Sequence, residues 1–194
     1  MAKPVLTSIC RRFADSTRGV AAIEFAMILP VLVLMFLASF DAGNAIAIYM
    51  KVRSATYTLA AITNQYTTIQ STDITAITGA TSTVLSPYSG TPTVVIITQI
   101  KATSATAATV SWSYSPTGKA LTTGASVTGL PTNLAKNSCN NTYPCYLIYA
   151  QVAYTFTPTF GYFISGTLSL SDSLYVTPRS SACIIYVPIN GSSC

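Results

Sequence analysis

The chain has 194 residues, half of them hydrophobic and only 8% charged, with a net charge of +5 and no histidine. The missing imidazole removes histidine acid/base catalysis, the usual Ser-His nucleophile and histidine metal ligands together. Three of the five net positive charges precede Val20, from Lys3, Arg11, Arg12 and Arg18 against Asp15, and the later Lys and Arg are scattered, which argues against a nucleic-acid-binding face.

Residues 1–19 are short and basic and read as a targeting segment rather than as part of a fold. Basic residues ahead of an apolar helix hold that end in the cytoplasm. Residues 20–40 then supply about the 20 mostly apolar positions that a membrane-spanning helix needs. Glu24 is the one charge between Arg18 and Asp41. A carboxylate near the end of such a helix costs free energy unless it finds a cation, so it is a functional candidate. A conventional signal peptide also fits the pattern, with small residues at Ala38 and Ser39 and at Ala42 and Gly43. Pro30 lacks the N–H of a helical hydrogen bond, and a kink is expected there.

The helical pattern continues past Asp41. Ala45, Ile48, Val52, Ala55, Leu59, Ile62, Tyr66 and Ile69 recur at alternating intervals of three and four, with Asn44, Lys51, Arg53, Thr58 and Gln65 off that stripe. One helix from Val20 to near Thr68, about 75 Å long, is expected. Two partners fit the stripe: the chain's own globular part, or a second helix in an intermolecular coiled coil. Ser71-Thr72-Asp73 reads as an N-cap. A short second helix would follow, with Ile74, Ile77, Val84 and Leu85 toward a core and Pro87 as its end. Residues 41–87 are thus an amphipathic helical region.

Residues 88–194 change character. Segments 93–101, 109–115, 146–157, 168–177 and 182–187 are rich in β-branched and aromatic residues, and 122–138 reads as a loop. An antiparallel sheet of four or five strands packed on the long helix is expected, an α+β fold.

Cys10 lies in the basic leader, whereas Cys139, Cys145, Cys183 and Cys194 form an even distal set. An even set fits disulfides in an oxidising compartment. Zinc would need paired short spacings, and no CxxC occurs. Of the three pairings available, closure of short loops favours Cys139–Cys145 and Cys183–Cys194. Asp73 and Asp172 are weak evidence for acid/base work, so no catalytic residue, metal site, cofactor or small-molecule substrate is expected. The tyrosines at 143, 146, 149, 154, 162 and 175 suit either strands or an interface.

Two non-enzymatic readings remain: a single-pass membrane-anchored extracytoplasmic β-domain that binds a ligand, and a prepilin-type subunit. Gly19 is followed by VAAIEFA, with Glu24 and Phe25 at the fifth and sixth positions after the glycine. This resembles the processing site of type IV-related pilins. More narrowly, RGVAAIEFAMILPVLVLMF, from Arg18 to Phe36, looks like the TadE-like minor pilins (pseudopilins) of the bacterial tight-adherence, or Flp, pilus. In the tail, VAYTFTPTFGYF followed by LSLSDSLYVTPRS is similar to that family's closing strands. The four distal cysteines are not part of the family pattern.

The resemblance implies insertion in the bacterial inner membrane, with the leader cytoplasmic and the distal domain extracytoplasmic. It implies cleavage between Gly19 and Val20 by a prepilin peptidase, and roles for Glu24 and Phe25 in assembly. The implied partners are membrane lipid, other minor pilins, the major Flp pilin and the inner-membrane Tad assembly platform, and the implied outcome is surface adherence and biofilm formation. Cleavage would free an amine at Val20, one helical turn from Glu24. The competing role for Glu24 is to snorkel to the headgroups.

Overall fold

The structure is a computed structural model that describes residues 19–88, 92–127, 130, 132–161 and 166–188. Its elements in chain order are α1 (Val20–Thr63), β1 (Thr68–Ile69), α2 (Ser71–Leu85), β2 (Val94–Ala102), β3 (Ala108–Tyr114), α3 (Thr132–Ser138), β4 (Cys145–Phe156), β5 (Leu168–Val176) and β6 (Ile185–Tyr186). They fall into two compact units. One holds α1 as far as Asn44 and the segment beginning at Pro158; the other comprises Ala45–Thr157 and the chain from Gly166.

In the first unit α1 runs uninterrupted through Pro30. Its large apolar side chains point outward all round: Ile23, Phe25, Met27, Val31, Met35 and Phe36 are each more than half exposed.

The second unit is α+β, with the later part of α1 packed on a sheet. Ile48, Val52, Ala55 and Leu59 are buried and share one core with Val95, Ile97, Trp112, Ile148, Ala150 and Val152. The helical stripe is therefore covered by the chain's own sheet and not by a coiled-coil partner. Each large aliphatic side chain so buried contributes about 1.5–3 kcal/mol.

The sheet has four antiparallel strands in the order β3-β2-β4-β5. Ile97 lies opposite Ala150, and Ala150 opposite Leu174, so their side chains share the face that meets α1. A register shift between Gln99 and Ile100 breaks the β2–β3 ladder.

Four local expectations are corrected. Helix α1 stops at Thr63 rather than near Thr68. The Asn64 carbonyl accepts the Arg179 N–H at 3.0 Å, and the Thr67 carbonyl accepts the Ile185 N–H at 3.0 Å. Those distant partners draw the backbone out of the helix, so Ile69 reaches the core from β1. The cap of α2 is Gln70, one residue before the expected Ser71. Asp73 serves it from inside the helix, its carboxylate accepting the Gln70 N–H at 3.0 Å.

The segment 122–138 is not all loop, because α3 occupies its end. Such a short helix relies on tertiary packing, and Ala135 is fully buried beside Cys139. Finally, β6 does not join the antiparallel sheet. It pairs in parallel with β1, Thr68 opposite Ile185. The Trp112 indole N–H donates to the Ile184 carbonyl at 2.9 Å, and the Gln99 amide oxygen accepts the Ile184 N–H at 2.6 Å. These two side-chain bonds hold Ile184, fully buried, where its backbone meets side chains instead of a fifth sheet strand.

Candidate functional site

The start of α1 follows from local chemistry. Gly19 sits in a tight turn just before the helix, and Val20 is the first helical residue. Alanine, leucine, methionine and glutamate at 20–40 are good helix formers, so the segment needs little tertiary help. Glycine before it interrupts helix and leaves the backbone unshielded.

Val20 and Glu24 stand four positions apart, one turn along the same helix face, separated by about 6 Å of rise. Glu24 is exposed, and no ion pair to it is made among the described residues. Phe25 is 58% exposed on the neighbouring face. The helix thus brings Gly19, Val20, Glu24 and Phe25 together within its first two turns, on a surface that carries no other charge before Asp41. An apolar surface this long is a membrane or partner surface. Helix α1 is long and apolar enough to cross a bilayer, and none of its most apolar window is buried.

The distal cysteines are placed in part. Cys139 and Cys145 form a disulfide across the turn after α3. Cys183 is disulfide-bonded as well, while Cys194, its expected partner, lies outside the described residues.

The tyrosines divide. Tyr146 and Tyr154 are buried, Tyr154 in the core under α1. Tyr149 and Tyr175 pack ring to ring at 4.8 Å, beside a groove of about 370 Å³ that Ile100, Val110, Leu121 and Gln151 also line. The Tyr149 hydroxyl donates to the Gln151 amide oxygen at 3.1 Å. Burial raises the pKa of both Tyr149 and Tyr175. Among the described residues, those that line the groove include no carboxylate, amine or thiol. Among the described residues no cluster of three metal-ligating side chains occurs.

Of the other acidic residues, Asp73 is committed to its cap. Asp172 lies on β5 opposite Val152, and the Arg53 guanidinium sits over the Tyr57 ring at 5.8 Å. Asp41 carries a role that sequence reasoning missed. It is only 4% exposed, and its carboxylate accepts the backbone N–H of Thr159 at 3.0 Å and of Phe160 at 3.3 Å. The available signal was its position as the first charge after sixteen uncharged residues; its partners more than a hundred positions away left no trace in the pattern.

Comparison with known proteins bears on the same helix. Residues 19–61 match a family model described as TadE-like protein. The match begins on Gly19 and covers all but the last two residues of α1; the sheet lies beyond it. No curated protein and no solved structure matches the chain. The N-terminal helix is thus similar to that of TadE-like proteins.

Proposed function

We propose that the chain is a minor pilin of the Tad (Flp) system, cut between Gly19 and Val20 by a prepilin peptidase, whose apolar helix then supports pilus assembly. One observation carries this reading. An exposed helix begins just after a glycine, and its sole charge for twenty residues stands one turn from the position where cleavage would create an ammonium. An ionised carboxylate alone in hydrocarbon costs on the order of several kcal/mol and is drawn to a cation. The amine of Val20, on this subunit or the next, is that cation. Paired between subunits, it sets axial register, because a misaligned neighbour leaves both charges bare. Phe25 lies beside the pair as an apolar contact.

The basic leader supports a cytoplasmic N-terminus, with residues 20–40 crossing the inner membrane. The Cys139–Cys145 bond supports an oxidising compartment for the distal part, and Cys183 is assigned to Cys194 on loop closure. The partners are the peptidase, membrane lipid, other minor pilins, the major Flp pilin and the inner-membrane Tad assembly platform. Surface adherence and biofilm formation follow from the pilus.

The test is processing. The tagged chain is expected to migrate faster when the peptidase is present, with Val20 as the first residue on N-terminal sequencing. Gly19→Val should block the shift, since a branched side chain obstructs the scissile bond. Equal mobility in both backgrounds, with a start at Met1 or Ala2, would instead favour a membrane-anchored binding module.

A further inference from the structure

Asp41 buries its carboxylate where, among the described residues, neither hydrophobic core cluster extends. Its two bonds run to the N–H groups of Thr159 and Phe160, 118 and 119 positions later in the chain. Charge-assisted bonds of this kind are about twice as strong as neutral ones. What they hold in place is an apolar ring. Phe160 packs edge to face on Phe40, centroids 5.7 Å apart and planes 66° apart. Neither ring belongs to the hydrophobic clusters of the protein. Phe40 is still 48% exposed and Phe160 42% exposed. Immediately after Phe160 the backbone turns through Gly161 at φ +63°, a left-handed conformation that glycine adopts freely.

The level at which this happens is set by helix length. From Val20 to Phe40 the helix rises about 30 Å, the thickness of a bilayer's hydrocarbon core. Asp41 therefore falls at the far boundary. Phe36, 69% exposed and one turn before Phe40 on the same face, continues the aromatic surface into the span. Segments that lie in that boundary bury Phe, Trp and Leu side chains a few ångströms into the headgroup–acyl region.

We propose that residues 158–161 form a lipid-interface seat, in which Asp41 holds the segment against α1 so that Phe160 and Phe40 together enter the headgroup–acyl boundary of the bilayer. The proposal rests on the reading of residues 20–40 as a membrane span. The seat sets the depth of that span: sliding the helix outward exposes both rings to water, and sliding it inward drags the Asp41 carboxylate and its two amide partners into hydrocarbon.

The full-length protein, reconstituted at low density in phosphatidylcholine–phosphatidylglycerol vesicles, provides the test. The native Trp112 is fully buried, so its emission is a constant background. Tryptophan is introduced separately by Phe160→Trp and Leu32→Trp, and quenching is measured with doxyl labels placed shallow or deep on the acyl chains. Phe160→Trp should be quenched more by the shallow label, and Leu32→Trp more by the deep one. Adding Asp41→Ala to Phe160→Trp should at least halve the shallow quenching while the Trp112 signal is unchanged. If Leu32→Trp responds to the deep label but Phe160→Trp answers only to aqueous acrylamide, the seat is wrong and the span stands. A Phe160→Trp signal shielded from both lipid and water, in proportion to protein density, would assign the patch to a second copy and overturn the seat. Insensitivity of Leu32→Trp to either label would remove the span, and the seat with it.

Discussion

Residues 20–40 and 45–63 belong to one uninterrupted helix and treat their apolar side chains in opposite ways. In the later stretch Ile48, Val52, Ala55 and Leu59 turn one stripe to the sheet and are at most 4% exposed. In the earlier stretch Met27, Val31, Met35 and Phe36 face outward in every direction, each more than half exposed. The difference lies in pattern rather than in hydrophobicity. A stripe can be satisfied by one surface of the same chain, whereas an apolar cylinder needs a surrounding medium or several neighbours. Among the described residues, most of the first half of α1 is left uncovered by the rest of the chain.

That contrast can be broken in several places. The largest effect is expected at Glu24. Glu24→Ala should leave insertion, cleavage and the protease resistance of the distal sheet unchanged, while piliation and co-purification with minor-pilin partners fall sharply. Normal piliation in that strain would reduce Glu24 to a side chain that snorkels to the headgroups.

Next come truncations in the two halves. Leu59→Ala should destabilise the distal unit by about 2–5 kcal/mol, the usual penalty for a cavity in a packed core. Leu32→Ala should stay within about 0.5 kcal/mol of wild type, as changes away from packed contacts do. Thermal unfolding of the full chain in detergent reads both, and equal losses would erase the distinction between the halves.

A smaller effect is expected from the double variant Cys139→Ser, Cys145→Ser. The bond closes a short loop, with a sequence separation of 6. Chain entropy assigns a loop of that size about 2 kcal/mol. The loss should show as a lower denaturant midpoint with α1 unaffected, and an unchanged midpoint would mean that α3 and its turn hold without the bond.

The smallest effect concerns pH. Burial raises the Tyr149 hydroxyl pKa, and burial with the nearby Tyr149 charge raises that of Tyr175. A folded-state value above the unfolded one means that the folded protein favours the neutral phenol. The associated stability is complete below about pH 10 and is lost as pH rises through the folded value. Tyr149→Phe with Tyr175→Phe should therefore flatten the alkaline decline in stability. A decline as steep as in wild type would place its origin elsewhere.

Much of this molecule is legible without coordinates, because it rests on short-range periodicity. The apolar cylinder, the stripe from Ile48 to Leu59, the second helix and the strands around Val95, Trp112, Ile148 and Leu174 all follow from residues a few positions apart. Gly19, Val20, Glu24 and Phe25 are legible for the same reason, since two helix turns are enough to bring them together. What covers the stripe was open, and only tertiary packing assigns it to the sheet.

The remaining features depend on partners that local pattern cannot name. Helix α1 ends at Thr63 because Arg179 and Ile185 take the carbonyls of Asn64 and Thr67. Strand β6 leaves the main sheet because Trp112 and Gln99 hold Ile184 by its backbone. Asp41 reads in the sequence as a charge at the end of an apolar run, and its task is visible only where the chain returns to it at Thr159 and Phe160. A hydrogen bond between residues 118 positions apart leaves no periodicity behind, so the amino-acid sequence determined where the helix could cross a membrane, and the tertiary structure decided what is tied to it at the boundary.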